Sequence, residues 1–156
     1  ANGDREKKLL ADFLAAGWNV ELADNVVGAL WNKFAYLGPY AAFNTVTNLN
    51  SGQICQAPES EAMMREMVAE YVAVGNAEGA DLGPSMVEEV LDRFRNPMIG
   101  MTSMLRDRVN GKRIEHDALV GSVVQRGKAK GIATPVSQTL YSLLAPVAAA
   151  ANHVSV

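Results

Sequence analysis

Between Val26 and Asn48 the chain reads VVGALWNKFAYLGPYAAFNTVTN, and Lys33 is the only side chain in it that carries a full charge near neutral pH. A helix of that length, apolar nearly all round, cannot lie on a surface with one face in water, so other elements must cover it on most sides. The core is therefore expected to form around this segment, with Asp24 or Asn25 as its N-cap. Pro39 leaves the Ala35 carbonyl without its helical donor and predicts a kink near Gly38.

The flanking segments also read as helices. Leu9, Leu10, Phe13 and Leu14 share one face of a helix from about Asp4 to Ala16, with Gly17 as its C-cap. Asp4, Glu6 and Asp12 interrupt what would otherwise mimic a secretion signal. The alternation from Trp18 to Leu22 predicts one short strand, which alone cannot satisfy its backbone groups. That helix and strand are expected to close a sheet-containing domain, residues 1–23, ahead of a helical domain, residues 24–156. Residues 1–22 should then pack against something other than their own helical domain.

Beyond Asn48, Ser51-Gly52 reads as a turn, and Pro58 opens a helix to about Asn76 whose stripe of Met63, Met64 and Met67 suits a core. Ser85 caps a helix that Asn96-Pro97 stops, and a short helix runs from Thr102 to Val109. Asn110-Gly111 is a turn, a long helix follows from about Glu115 to Lys130 with Gly131 as its cap, and Thr134-Pro135 opens the last. About seven helices without a repeat period make an all-α domain.

Composition narrows the function. A chain of 156 residues suits a single core. A formal charge of −3 gives no footprint for nucleic acid. Cys55 is the one cysteine, which fits a reducing, cytoplasmic setting. The apolar run from Leu140 to Ala151 is too short to span a bilayer and contains Pro146, so no membrane is expected as a partner. His116 and His153 lack a second ligand at helical spacing, so no metal is expected. Gly75, Gly79 and Gly83 follow no strand and open no phosphate loop, and there is no Gly-x-Ser-x-Gly elbow.

Lys33 carries the chemistry. An ammonium on an apolar helix must find a partner, lose its proton, or reach solvent along its own stem. Leu37, Tyr40, Ala41, Asn44 and Asn48 share its face at separations of 4, 7, 8, 11 and 15 residues. One cation, a phenol and two amides suit a small anionic molecule that bears a carbonyl. Glu115, near a helix start, is the candidate partner, and it also reads simply as an acid placed against the helix dipole. Ser103 reads equally as the cap of its short helix.

Several pieces in order resemble the C-terminal domain of the ketopantoate reductase (2-dehydropantoate 2-reductase) family. They are Leu30-Trp31-Asn32-Lys33-Phe34, the run from Glu70 to Gly79, Ser103 to Asp107, Gly111 to Asp117, Leu119 to Gly121, and Gly131 to Pro135. The resemblance implies a helical domain like the C-terminal part of 6-phosphogluconate dehydrogenase, preceded by a Rossmann domain that binds NADP and is absent from this sequence. It implies reduction of a 2-keto acid to the 2-hydroxy acid, of the kind used in pantothenate biosynthesis. Lys33 then matches the proton-donating lysine, and Glu115 the carboxylate that faces the substrate. Ser103 matches a substrate-holding hydroxyl, with Tyr40, Asn48 and Ser51 as further substrate contacts. The partners implied are the keto acid, the Rossmann domain and a second copy as a homodimer. No cofactor-binding residue is expected in this sequence.

Family members place asparagines four and eight residues after the lysine, where Leu37 and Ala41 stand here. Losing those amides keeps the reaction type and points to a more apolar keto acid. The competing reading is a helical interaction domain without catalysis.

Overall fold

The computed structural model describes residues 3–96 and 100–151; Pro97 and His153 lie outside them. The fold is all-α. Its helices are α1 (Asp4–Ala15), α2 (Val26–Thr47), α3 (Ser51–Cys55), α4 (Pro58–Ala77), α5 (Met86–Arg95), α6 (Ser103–Val109), α7 (Ser122–Lys130) and α8 (Pro135–Ala151), with a π-helical turn at Asp117–Gly121 running directly into α7.

The charge-poor segment is the central helix, as its composition requires. α2 packs on α3, α4, α5, α6, α8 and the π turn, and from Gly38 to Thr45 every residue is buried. It runs through Pro39 without interruption. Tyr71 of α4 fills the space beside Gly38, where a Cβ would overlap the ring. Aromatic contacts bind α2 to its neighbours: Phe34 meets Tyr71 edge-on at 5.1 Å and Tyr36 stacks on Phe94 at 5.2 Å. The methionine stripe is core, with Met64 and Met67 fully buried beside Val68 and Val74.

Side-chain caps set the ends of α2. The Asn25 carbonyl oxygen accepts from Gly28 N, while its amide donates to the carbonyls of Gly79 and Ala80 and ties the helix start to the α4–α5 connection. Asn48 ends the helix in the left-handed region at φ 60°. The segment after it is not a simple turn but a short helix, because Asn50 and Gln53 form a reciprocal capping box. Thr102, rather than Ser103, caps α6 by accepting from Leu105 N.

The expected strand is absent. Trp18–Leu22 has no regular secondary structure, since among the described residues no second strand exists to take its backbone groups. α1 buries no residue and packs on none of the other helices. Its apolar side chains Leu9, Leu10 and Phe13 instead form a shallow groove with Val20 and Leu22. No helix among the described residues is long and apolar enough to cross a membrane.

Candidate functional site

Lys33 stands where α2 passes from solvent into the bundle, and its side chain is exposed. It borders a cavity of about 510 Å³ between α2 and the π turn with α7. Leu30, Trp31, Phe34 and Leu37 make the α2 wall; Ala118, Ser122 and Arg126, four residues apart, make the other. Leu37, the first departure from the expected amides, is thus part of the cavity lining. Among the described residues no carboxylate lines the cavity and none forms an ion pair with Lys33.

The far wall takes its shape from the π turn. The Tyr71 hydroxyl donates to the Leu119 carbonyl at 2.6 Å, and the Tyr141 hydroxyl donates to Asp117 Oδ1 at 2.7 Å. The Tyr141 ring fills the space beside Gly121, where a Cβ would stand 2.8 Å away. Burial pushes the Tyr71 phenol far above its ordinary range, with the neighbouring Glu70 adding to the effect, so it remains a donor. The hydrogen bond to Asp117, with burial behind it, raises that of Tyr141. One wide turn shifts the α-helical register of α7 relative to the residues ahead of Asp117. Glu115 lies ahead of the turn, exposed and outside the cavity lining, while Ala118 and Ser122 face Lys33.

The other residues singled out from the sequence gather elsewhere. Tyr40 is buried about two helical turns beyond Lys33, and its hydroxyl donates to the Gly100 carbonyl at 3.0 Å. Burial raises its phenol foremost, Tyr36 adds to this, and a hydrogen bond from the Ser51 backbone opposes it. Ser51 is itself buried at the start of α3. Asn44, fully buried, joins this group. It donates to Leu49 and Gly100 carbonyls and accepts from Thr102 N at 2.9 Å and Thr102 Oγ1 at 2.8 Å. Ser103 follows as an exposed residue opening α6, and Asn48 is exposed at the end of α2. Neither this group nor Asn48 or Ser103 lines the Lys33 cavity.

Two side chains have roles that the sequence did not disclose. Asn44 was visible only as one amide on the Lys33 face, whereas the structure makes it the anchor of the α5–α6 loop. Arg126 stands in the cavity wall and donates from Nη1 to both carboxylate oxygens of Glu78 at 2.8 and 2.6 Å. Among the described residues the glycines at positive φ, Gly17, Gly79, Gly111 and Gly131, follow helices, and no strand leads into any of them.

Comparison with solved structures sets the class. The chain superposes on a PanE/ApbA family ketopantoate reductase from Ralstonia eutropha with a TM-score of 0.87 at 34% identity, covering 97% of this chain and 51% of that one. It also superposes on D-mandelate dehydrogenase, solved with NADH and anilino(oxo)acetate, with a TM-score of 0.83 at 25% identity, covering 96% of this chain and 65% of that one. The fold is therefore that of the helical domain these two structures share.

A family model for the C-terminal part of the ketopantoate reductase PanE/ApbA matches residues 25–148, and the chain belongs to that family. It is 36% identical over 126 residues to the 2-dehydropantoate 2-reductase of Caulobacter vibrioides, covering 80% of this chain and 43% of that protein. It is 35% identical over 131 residues to that of Mycobacterium tuberculosis, covering 83% and 44%. The chain thus spans a little under half the length of these curated relatives.

Proposed function

We propose that this chain is the substrate-binding and proton-donating domain of an NADPH-dependent reductase that converts a 2-keto acid to the 2-hydroxy acid. The observation that carries the reading is Lys33 at the edge of an apolar cavity on the central helix of a ketopantoate reductase family domain. The cofactor belongs to a dinucleotide-binding domain ahead of α2, and the exposed apolar side chains of α1 and Trp18 support a docking face for it.

An ammonium within hydrogen-bond reach of the ketone oxygen polarises the carbonyl and stabilises charge developing on that oxygen. It then gives up the proton that completes the hydroxyl. With no carboxylate lining the cavity, Lys33 has no fixed counter-ion there to compete with an anionic substrate. Tyr40 and Asn44 hold Gly100 and Thr102 ahead of Ser103, and the Ser51 backbone bonds Tyr40, so they act on the substrate through placement of the Ser103 hydroxyl. Glu115 would reach the product hydroxyl from the start of the π turn. The Leu37 wall favours a keto acid with an apolar side chain, in keeping with the aryl-bearing ligand of the D-mandelate dehydrogenase complex.

The test is steady-state reduction of a panel of 2-keto acids by the full-length protein, with NADPH and NADH compared. Lys33→Ala is expected to lower kcat by about 10²- to 10⁴-fold. Failure to turn over any keto acid, or an unaffected Lys33→Ala variant, overturns the proposal.

A further inference from the structure

We infer that His116 is a positioning residue for the proposed reduction: through Asp117 and Tyr141 it sets the π turn that carries Glu115 at its head and the Ala118 and Ser122 wall of the Lys33 cavity. The inference rests on the reductase reading of that cavity and concerns a side chain which the reading does not use.

His116 is 8% exposed and follows Glu115 directly. Its ring stacks on Tyr141 of α8, with centroids 5.2 Å apart and planes at 18°. A single oxygen joins the three side chains. Asp117 Oδ1 accepts from the Tyr141 hydroxyl at 2.7 Å and lies 3.6 Å from His116 Nε2, too far for a hydrogen bond. His116 Nδ1 is buried and meets no partner among the described residues. The backbone carries the state of this cluster to the cavity. Leu119 N donates to the Glu115 carbonyl at 3.0 Å, and the Tyr141 ring closes on Gly121. Asp117 and Ala118 stand between those two fixed points, so a movement of Asp117 reaches Glu115 and the cavity wall together.

Proton uptake by the imidazole changes the cluster. The stack survives it, because a cation also rests on an aromatic face. The polar contacts do not. A ring with two N–H groups needs an acceptor that Nδ1 lacks. The charged Nε2–H is drawn to Asp117, where it competes with the Tyr141 hydroxyl for the same oxygen. Tyr141 does not yield by losing its own proton, since the bond to Asp117 raises its phenol. The elements packed on the turn bring no other carboxylate to the ring among the described residues. Tyr141 is the one ionisable side chain of α8, and Tyr71 of α4 is bound to the Leu119 carbonyl. On α2, Lys33 is exposed, Tyr36 stacks on Phe94 and Tyr40 bonds Gly100. On α7, Arg126 pairs with Glu78, and Lys128 and Lys130 are exposed.

The test is the pH profile of kcat/KM in the full-length protein, with NADPH and a 2-keto acid that it reduces, across the range of about pH 5 to 8 in which histidine changes charge. The parent is expected to lose about 10-fold in kcat/KM from pH 7.5 to pH 5.5, and His116→Gln, which cannot take up the proton, less than about 3-fold. Asp117→Asn keeps an oxygen for Tyr141 without the charge that draws the imidazolium, and should flatten the profile in the same way. A purely structural role would lower activity equally at both pH values. In carbon-labelled tyrosine NMR of the full-length protein, the Tyr141 ring signals should move in step with the His116 ring in the parent and stay still in His116→Gln. An acid fall retained in both variants, or Tyr141 signals that do not follow His116, overturns the role of His116 alone. Absence of turnover with every keto acid in the parent overturns the reductase reading, and this role with it.

Discussion

Glu70 offers the sharpest test of how the bundle is held around α2. It belongs to α4 and is 8% exposed, yet it caps a different helix. Its Oε1 accepts from Val136 N at 2.7 Å, and its Oε2 accepts from Ser137 N at 2.8 Å and Ser137 Oγ at 2.5 Å. The two amides are first-turn donors of α8, which no intrahelical carbonyl can satisfy, and the hydroxyl is a buried side-chain donor beside them. Glu70→Ala strips all three donors of their acceptor and removes a negative charge from a helix N-terminus. Each buried donor left unpaired costs about 1–3 kcal/mol, and the lost dipole interaction adds about 0.5–1 kcal/mol. Even the lower end of these costs gives a total of about 3.5 kcal/mol, a large share of the stability of a domain this size. Glu70→Gln keeps one oxygen but turns an amide group toward donors, and should lose about 2–3 kcal/mol. Urea denaturation followed by circular dichroism gives both values, and hydrogen exchange at Val136 and Ser137 localises the effect. A loss under about 1 kcal/mol in the Gln variant, or unchanged protection of those amides, would refute the reasoning.

Asn44→Ala removes four hydrogen bonds in a fully buried site, and should cost about 2–4 kcal/mol in denaturant midpoint analysis while loosening residues 100–102. Tyr71 gives a pH dependence: its phenol is raised above the ordinary 10.0 by burial, so the fold favours the neutral form. The stability it contributes is complete below pH 10 and is lost as pH rises beyond it, toward the raised value. Tyr71→Phe should cost about 1 kcal/mol at neutral pH yet flatten the fall in stability above pH 10, read from denaturation across that range. Trp18 is 63% exposed in this chain, so its fluorescence should shift to the blue in the full-length protein if the proposed docking face is covered.

The central helix was legible because its signal is local and strong. A run with one charged side chain has to be buried, and asparagines near each end cap it. The Gly131 cap and the Gly111 turn were legible for a similar reason, since a left-handed backbone near φ 70° selects glycine. The strand at Trp18–Leu22 failed because alternation describes an exposed extended segment as well as a paired one. Choosing between Thr102 and Ser103 as the α6 cap could not be done locally. Both are hydroxyls, and the decision is made by Asn44, 58 residues away. The π turn leaves no mark in composition, and the Tyr71 and Tyr141 hydroxyls that bond to it come from two other helices. Arg126 was missed on the same ground: its position in a cavity depends on the register after that turn.

Lys33 divides α2 into two parts with different surroundings. From Gly38 to Thr45 the helix is enclosed, and its side chains are spent on the fold. Ahead of the lysine, Val26, Val27 and Leu30 are 59%, 42% and 63% exposed although the sequence there is equally apolar. Seven of the eleven large apolar side chains exposed among the described residues precede Lys33, namely Leu9, Phe13, Leu14, Trp18, Val26, Val27 and Leu30. Leaving such groups in water forgoes roughly 25 cal/mol for each Å² that a partner surface could cover. The bundle does not need them, and the docking face proposed above would give them a cover. In the proposed full-length enzyme a lysine at that boundary would be held by a rigid helix on one side and closed over by an apolar surface on the other. Water would then leave the cavity when that surface is in place, and under the proposed reading the ammonium would meet the ketone in a medium where its charge acts most strongly.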